Sequence, residues 1–235
     1  QYVEGIIGPL VVYDRDDPYI NHYDDEIVVQ LHDWFHTDAK ILLAKLLSPE
    51  SRGFGPIPDS GLINGKNSFN CSSAPPGSHC VSDAPLEQFK FVQGKRYRIR
   101  IINSASLPTF IFSIDGHELE VIEVEGMMIK PYKLNRLPIN VAQRYSVIVK
   151  ADKPVDSYWM RAEIQTQCFP MQNPILDPMV KAIITYEGSS KQIPVSTAWN
   201  DKVTDCVDLD SNKLEPYYSQ HIPDVDTTIN LFVNF

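Results

Sequence analysis

The stretch from Gly94 to Gly126, GKRYRIRIINSASLPTFIFSIDGHELEVIEVEG, constrains the fold more than any other part of the chain. Tyr97, Ile99 and Ile101 alternate with Arg96, Arg98 and Arg100, and after a turn at Asn103 to Pro108 the runs Phe110 to Ile114 and Leu119 to Val124 follow. Alternation with a period of two puts one face of a strand in a core and the other in water. Asp115-Gly116 separates two of the runs, and glycine tolerates the positive φ that a tight hairpin requires. The expectation is a three-stranded antiparallel meander with its arginines on the wet face and Tyr, Ile and Phe inside.

The whole chain fits that start. Its 235 residues leave room for one large domain or two small ones, and 43% hydrophobic residues suffice for a core. Eighteen prolines and eleven glycines, with few long apolar periodic segments, favour strands and loops over helices. A formal net charge of -9 speaks against a nucleic-acid partner, whose phosphates attract basic patches. No apolar run approaches the ~20 residues of a membrane span.

Taken in order, Gln1 to Asp14 reads as a turn leading into one strand, Asp14 to Asp25 as a polar linker, and Glu26 to Leu31 as a strand. Thr37-Asp38 reads as a cap for a short helix over Ala39 to Leu47, stopped by Ser48-Pro49. Leu62 to Lys66 is a short strand and turn, and Asn67 to Asp83 an irregular loop holding Cys71 and Cys80. Tyr145 to Val149, Tyr158 to Glu163 and Val180 to Tyr186 are further strands, and Glu187 to Gln220 has the composition of an interdomain connection. Thr228 to Phe235 alternates as a last strand. Neither end strand finds a partner in the reading, so both are expected to pair with polypeptide outside this sequence. There is no internal repeat.

The segments LINGKNSFNC, GKRYRIRIIN, FSIDGHELEVIEVEG, AQRYSVIVKAD and YWMRAE, in that order, resemble the second of the three cupredoxin-like domains of multicopper oxidases, the laccase and ascorbate oxidase family, and its fungal members above all. The opening QYVEGIIGPLVVYD resembles the last strand of the family's first domain, and the closing PDVDTTINLFVNF the first strand of its third. The resemblance implies an all-β, Greek-key β-sandwich of cupredoxin type. It implies three parts: residues 1–17 as the end of a preceding domain, 18–195 as the central domain, and 196–235 as linker and first strand of a following domain. It also implies a copper enzyme that couples one-electron oxidation of a small reducing substrate to reduction of dioxygen to water. The flanking cupredoxin domains are then the partners, and the central domain walls the substrate cleft.

The residues themselves assign no copper ligand and no catalytic residue to this chain. There are six histidines, His22, His32, His36, His79, His117 and His221, with no His-x-His pair and no Cys-His step. His32 and His36, four apart, are read as flanking a buried Trp34 rather than as a metal pair. Cys168-Phe169-Pro170-Met171 lacks the histidine of a blue-copper loop, and His117 reads as a satisfied loop residue. The alternative class is a copper-free cupredoxin-like binding or scaffold module. A glycosidase-type carboxylate pair among Glu118, Glu120, Glu123 and Glu125 is the weakest reading, since an alternating charged face is ordinarily just solvated.

Four cysteines permit three connectivities, and related secreted oxidases imply a bridge within the loop of Cys71 and Cys80, leaving Cys168 for Cys206. This points to an oxidising, extracellular setting. Asn70-Cys71-Ser72 matches a glycosylation sequon, weakened by its central Cys. Many laccases have cysteines at the positions of Val3 and Ser106, which join the first and second domains; both are absent here. The next position, Leu107, is acidic in fungal laccases that take a proton from phenols. Asp33 falls where ferroxidases of the family carry an iron-binding Glu and where laccases also carry Asp. Asp33 and Leu107 are therefore the substrate-cleft candidates.

Overall fold

The computed structural model describes residues 3–190, 192–219, 221 and 223–233. The strands are β1 (Asp25–Trp34), β2 (Ser60–Ile63), β3 (Glu87–Phe91), β4 (Arg96–Asn103), β5 (Phe110–Ile114), β6 (Leu119–Val124), β7 (Met127–Leu134), β8 (Arg136–Ile139), β9 (Arg144–Lys150), β10 (Ser157–Ile164) and β11 (Met179–Tyr186). One α-helix, α1 (Ala39–Leu46), lies between β1 and β2. The strands form a six-stranded sheet, β2-β1-β4-β9-β6-β7, and a five-stranded sheet, β3-β11-β10-β5-β8. Both are mixed: β1 runs parallel to β4 and β3 parallel to β11, while the other pairs are antiparallel. This is an all-β sandwich of cupredoxin type.

The core fills the space between the sheets. Val29, Leu31, Tyr97, Ile99, Ile101, Val147 and Val149 face it from one side, and Phe91, Phe110, Phe112, Met160, Val180 and Ile184 from the other, all buried. Tyr97 stacks on Phe91 with centroids 4.0 Å apart, and its hydroxyl accepts a hydrogen bond from the Val92 amide at 2.8 Å. The sheets close tightly at Gly61, where an added Cβ would lie 2.7 Å from a Val180 methyl. Asn64-Gly65 turns the chain after β2 with φ of 49° and 76°, the left-handed pair that a type I′ turn needs.

The three-stranded meander is wrong. β4 pairs with β1 and β9, β5 with β10 and β8, and β6 with β9 and β7, so none of the three strands neighbours another. Asp115-Gly116 turns the chain from one sheet to the other instead of closing a hairpin within one. The alternation itself was read correctly for Tyr97, Ile99 and Ile101, but Arg98 is fully buried, because residues 14–24 cross the outer face of the six-stranded sheet. Asp17 binds its Nη1 and Glu123 its Nη2, the latter at 2.8 Å. Strands β3, β7 and β8 were not anticipated.

The end segments have no strand partner among the described residues. Residues 6–14 and 223–233 form no strand, and Leu10 and Leu231 are 86% and 83% exposed. Gln1, Tyr2, Asn234 and Phe235, within the two end stretches, lie outside the described residues. Residues 196–217 are held against the sandwich. Trp199 Nε1 donates to Ile114 O at 2.8 Å, Cys206 N to Gln165 Oε1 at 2.7 Å, and Tyr217 N to Met128 O at 2.9 Å. Cys168 is bridged to Cys206, and Cys71 to Cys80.

Candidate functional site

Helix α1 begins because Asp38 accepts a hydrogen bond from Lys40 N at 2.8 Å, the side-chain cap that a first turn lacks from its own backbone. Leu, Ala and Lys then favour helix, and Ser48-Pro49 ends it. None of its residues is buried, so its apolar positions Leu42, Leu43 and Leu46 stay available. With Phe35, Pro56 and Leu107 they wall a groove of about 270 Å³. The sequence reading missed this face; the leucine spacing along Ala39 to Leu47 was its signal.

Leu107 stands on a loop fixed from below. Asp33, at the end of β1, is fully buried, and its carboxylate accepts hydrogen bonds from Ser106 N at 3.0 Å and from Ser106 Oγ. His32 Nδ1 donates to Ser104 O at 2.9 Å, and Ser104 Oγ to Leu31 O at 2.8 Å. Asn103 Nδ2 donates to Pro108 O and Ile139 O, both at 3.0 Å. These bonds satisfy backbone groups that a turn leaves open and hold the loop to the strand end. Asp33 therefore positions the loop and is shielded from a ligand, while Leu107 is half-buried and lines the groove. The two sequence candidates meet through Ser106. Val3 lines the same groove as Ser106, which places side by side the two positions singled out for the missing bridge.

Three of the histidines, His32, His36 and His117, are buried side chains held by the fold. His117 is buried, donates from Nδ1 to Asp115 O at 2.8 Å, and accepts at Nε2 from the Tyr186 hydroxyl at 2.6 Å. His36 donates from Nδ1 to Asp59 Oδ2 at 3.1 Å. His32 and His36 do not flank a buried tryptophan: their side chains are buried, and Trp34 between them is 36% exposed. Copper sites draw on imidazole, thiolate and thioether. Here the thiols are oxidised, Met171 is 50% exposed, and no three His, Cys, Asp or Glu residues converge among the described residues. These donors do not fit copper.

Three of the four carboxylates of β6 and its turns are committed, which leaves Glu120 alone. Glu118 pairs with Lys133 at 2.8 Å and Glu125 with Arg144 at 2.6 Å, while Glu123 holds Arg98 and Ser146. No pair is left to share acid and base roles across a bond. Asn70 is exposed, with its side-chain oxygen accepting from Ser72 N at 3.1 Å. No helix among the described residues is long and apolar enough to cross a membrane.

Comparison with known proteins agrees with the sandwich and its motifs. The sequence profile of the family described as multicopper oxidase matches residues 25–189. Laccase-4 of Thanatephorus cucumeris is 40% identical over 201 residues, covering 83% of this chain and 36% of that protein. A laccase of Trametes maxima is 35% identical over 244 residues, covering 100% of this chain and 44% of its own length. The crystal structure of the laccase from Botrytis aclada superimposes with a TM-score of 0.71 at 33% identity, over 83% of this chain and 35% of that one. Fet3p, a multicopper oxidase that functions in iron import, aligns with a TM-score of 0.69 over 89% of this chain and 36% of its own, and at 21% identity speaks for the fold alone. The chain spans less than half the length of the curated relatives it matches. With 165 consecutive residues of the sandwich matching one profile, the chain belongs to the multicopper oxidase family.

Proposed function

We propose that this chain is the central domain of a laccase-like oxidase and shapes one wall of its substrate cleft. Residues 18–195 are that domain, 1–17 the end of a preceding cupredoxin domain, and 196–235 the connection to a following one. The whole protein couples one-electron oxidation of a small reducing substrate to reduction of dioxygen to water, with copper as electron acceptor and as the site of dioxygen reduction. The observation that carries this reading is the groove beside Leu107. It is apolar, open, and built on a loop locked by the buried Asp33, so it offers a fixed wall to an aromatic or other apolar reductant. Two disulfides, and a sequon exposed at Asn70, fit an extracellular glycoprotein.

In the groove, this chain's own residues bind and orient, and none of its lining side chains is a carboxylate able to take a phenolic proton. The test is Leu107→Asp in the full-length protein. A carboxylate there accepts the proton as the phenol gives up its electron, and kcat/KM for phenols rises roughly tenfold or more. Ferrocyanide, which has no proton to give, is oxidised at an unchanged rate. Equal effects on both donors, or none on either, would remove Leu107 from the substrate wall.

A further inference from the structure

A second cleft, of about 300 Å³, opens between the end of β1, the β2 turn and the loop stapled by Cys71–Cys80. Its walls are Trp34, Leu62, Phe69, Val81 and Pro85, and His36 lies within it. The His36 side chain is only 4% exposed. Asp59 fixes it: Oδ2 accepts from both His36 N, at 2.8 Å, and Nδ1, at 3.1 Å, while Asn173 Nδ2 donates to Oδ1 at 2.9 Å. Nδ1 thus carries the proton, and Nε2 is left with a lone pair that no group of the described residues engages. Phe69 covers one face of the imidazole, with centroids 4.4 Å apart, and Trp34 meets it edge-on at 6.5 Å.

We propose that this cleft is a binding site for a small neutral aromatic carrying one hydrogen-bond donor, a phenol above all. Three observations select that chemistry. Aromatic walls favour a flat ring, by stacking and by removal of apolar surface from water. His36 Nε2, at the cleft and with no hydrogen-bond partner among the described residues, is an acceptor, and it pairs with an O–H. The one lining cation, Lys66, is bound to Glu87 at 2.7 Å, so nothing draws an anion inward. The volume suits one ring with small substituents. The site is separate from the groove at Leu107, with which it shares no lining residue, and the inference does not depend on the oxidase reading.

The test is calorimetric titration of the full-length protein under argon, where no turnover occurs, with para-cresol and with its O-methyl ether. A Leu107→Trp background fills the other groove, so the cleft alone is read. The expected result is one saturable site that holds the phenol about tenfold more tightly than the ether, the worth of one hydrogen bond. His36→Phe brings the two ligands to equal affinity. Val81→Trp, at a position 59% exposed on the rim, removes binding of both while leaving the core untouched. Equal affinity of phenol and ether, an isotherm unmoved by Val81→Trp, or no saturable site overturns the proposal. Oxidase turnover is measured separately in air on the unsubstituted protein, so the two readings fail independently.

Discussion

Arg98 shows what a single residue does to a sheet face that the alternation marks as wet. It lies fully buried between Asp17 and Glu123, with Tyr23 under its guanidinium at 5.5 Å. The three charges offset one another's desolvation only as a set. Replacing Arg98 by Met leaves two carboxylates inside without their cation, and is expected to cost about 3–5 kcal/mol in urea unfolding. Adding Glu123→Gln returns part of that loss. His117 gives a pH dependence instead. Burial pushes its imidazole below the ordinary value of 6.5, with Lys153 acting in the same direction and the Asp115 carbonyl, Asp152 and the Asp115 carboxylate opposing. The unfolded chain therefore binds a proton more readily than the folded one, and the stabilisation from neutral His117 is complete above 6.5 and drains as pH falls below it. Unfolding free energy should drop between about pH 7 and about pH 5, and His117→Gln should flatten the part of that slope due to this group.

At the scale of elements, the strands were far more legible than their partners. Period-two patterning marks a buried face whatever lies alongside, so Tyr97, Ile99 and Ile101 announced β4 but not its pairing with β1 and β9, which lie far off in the chain. Strands β7 and β8 escaped notice because charged or proline positions interrupt their alternation, as in Met127–Leu134 and Arg136–Ile139, and β3 because its alternation spans only the five residues Glu87–Phe91. The helix was legible through its cap, since Asp38 acts within two residues of itself. The bridge from Cys168 to Cys206 ties the strap of residues 196–217 to the end of β10 across 38 residues. Loop-closure entropy gives such a bridge about 4 kcal/mol. A Cys168→Ser, Cys206→Ser double variant should lose an amount of that order in denaturant unfolding, and the Trp199 environment, read by fluorescence, should loosen at lower urea than the rest.

For the molecule as a whole, the candidate site was half legible. Asp33 and Leu107 were picked out by their positions in a recognisable pattern, and they do meet, but through Ser106 and with the carboxylate turned inward. Burial of that kind follows from packing between β1 and the loop after β4, two segments whose contact no local pattern announces. The Asp59–His36 pair was invisible for the same reason: 23 residues separate its members. The donors of this sandwich do not fit copper, and whatever copper the whole protein uses is proposed to be held by other parts of it. Elemental analysis of the purified 235-residue polypeptide, dialysed against a weak chelator, tests it most directly. Essentially no copper per chain is expected; one or more tightly held ions would overturn this reading and make His32, His36 or His117 a ligand.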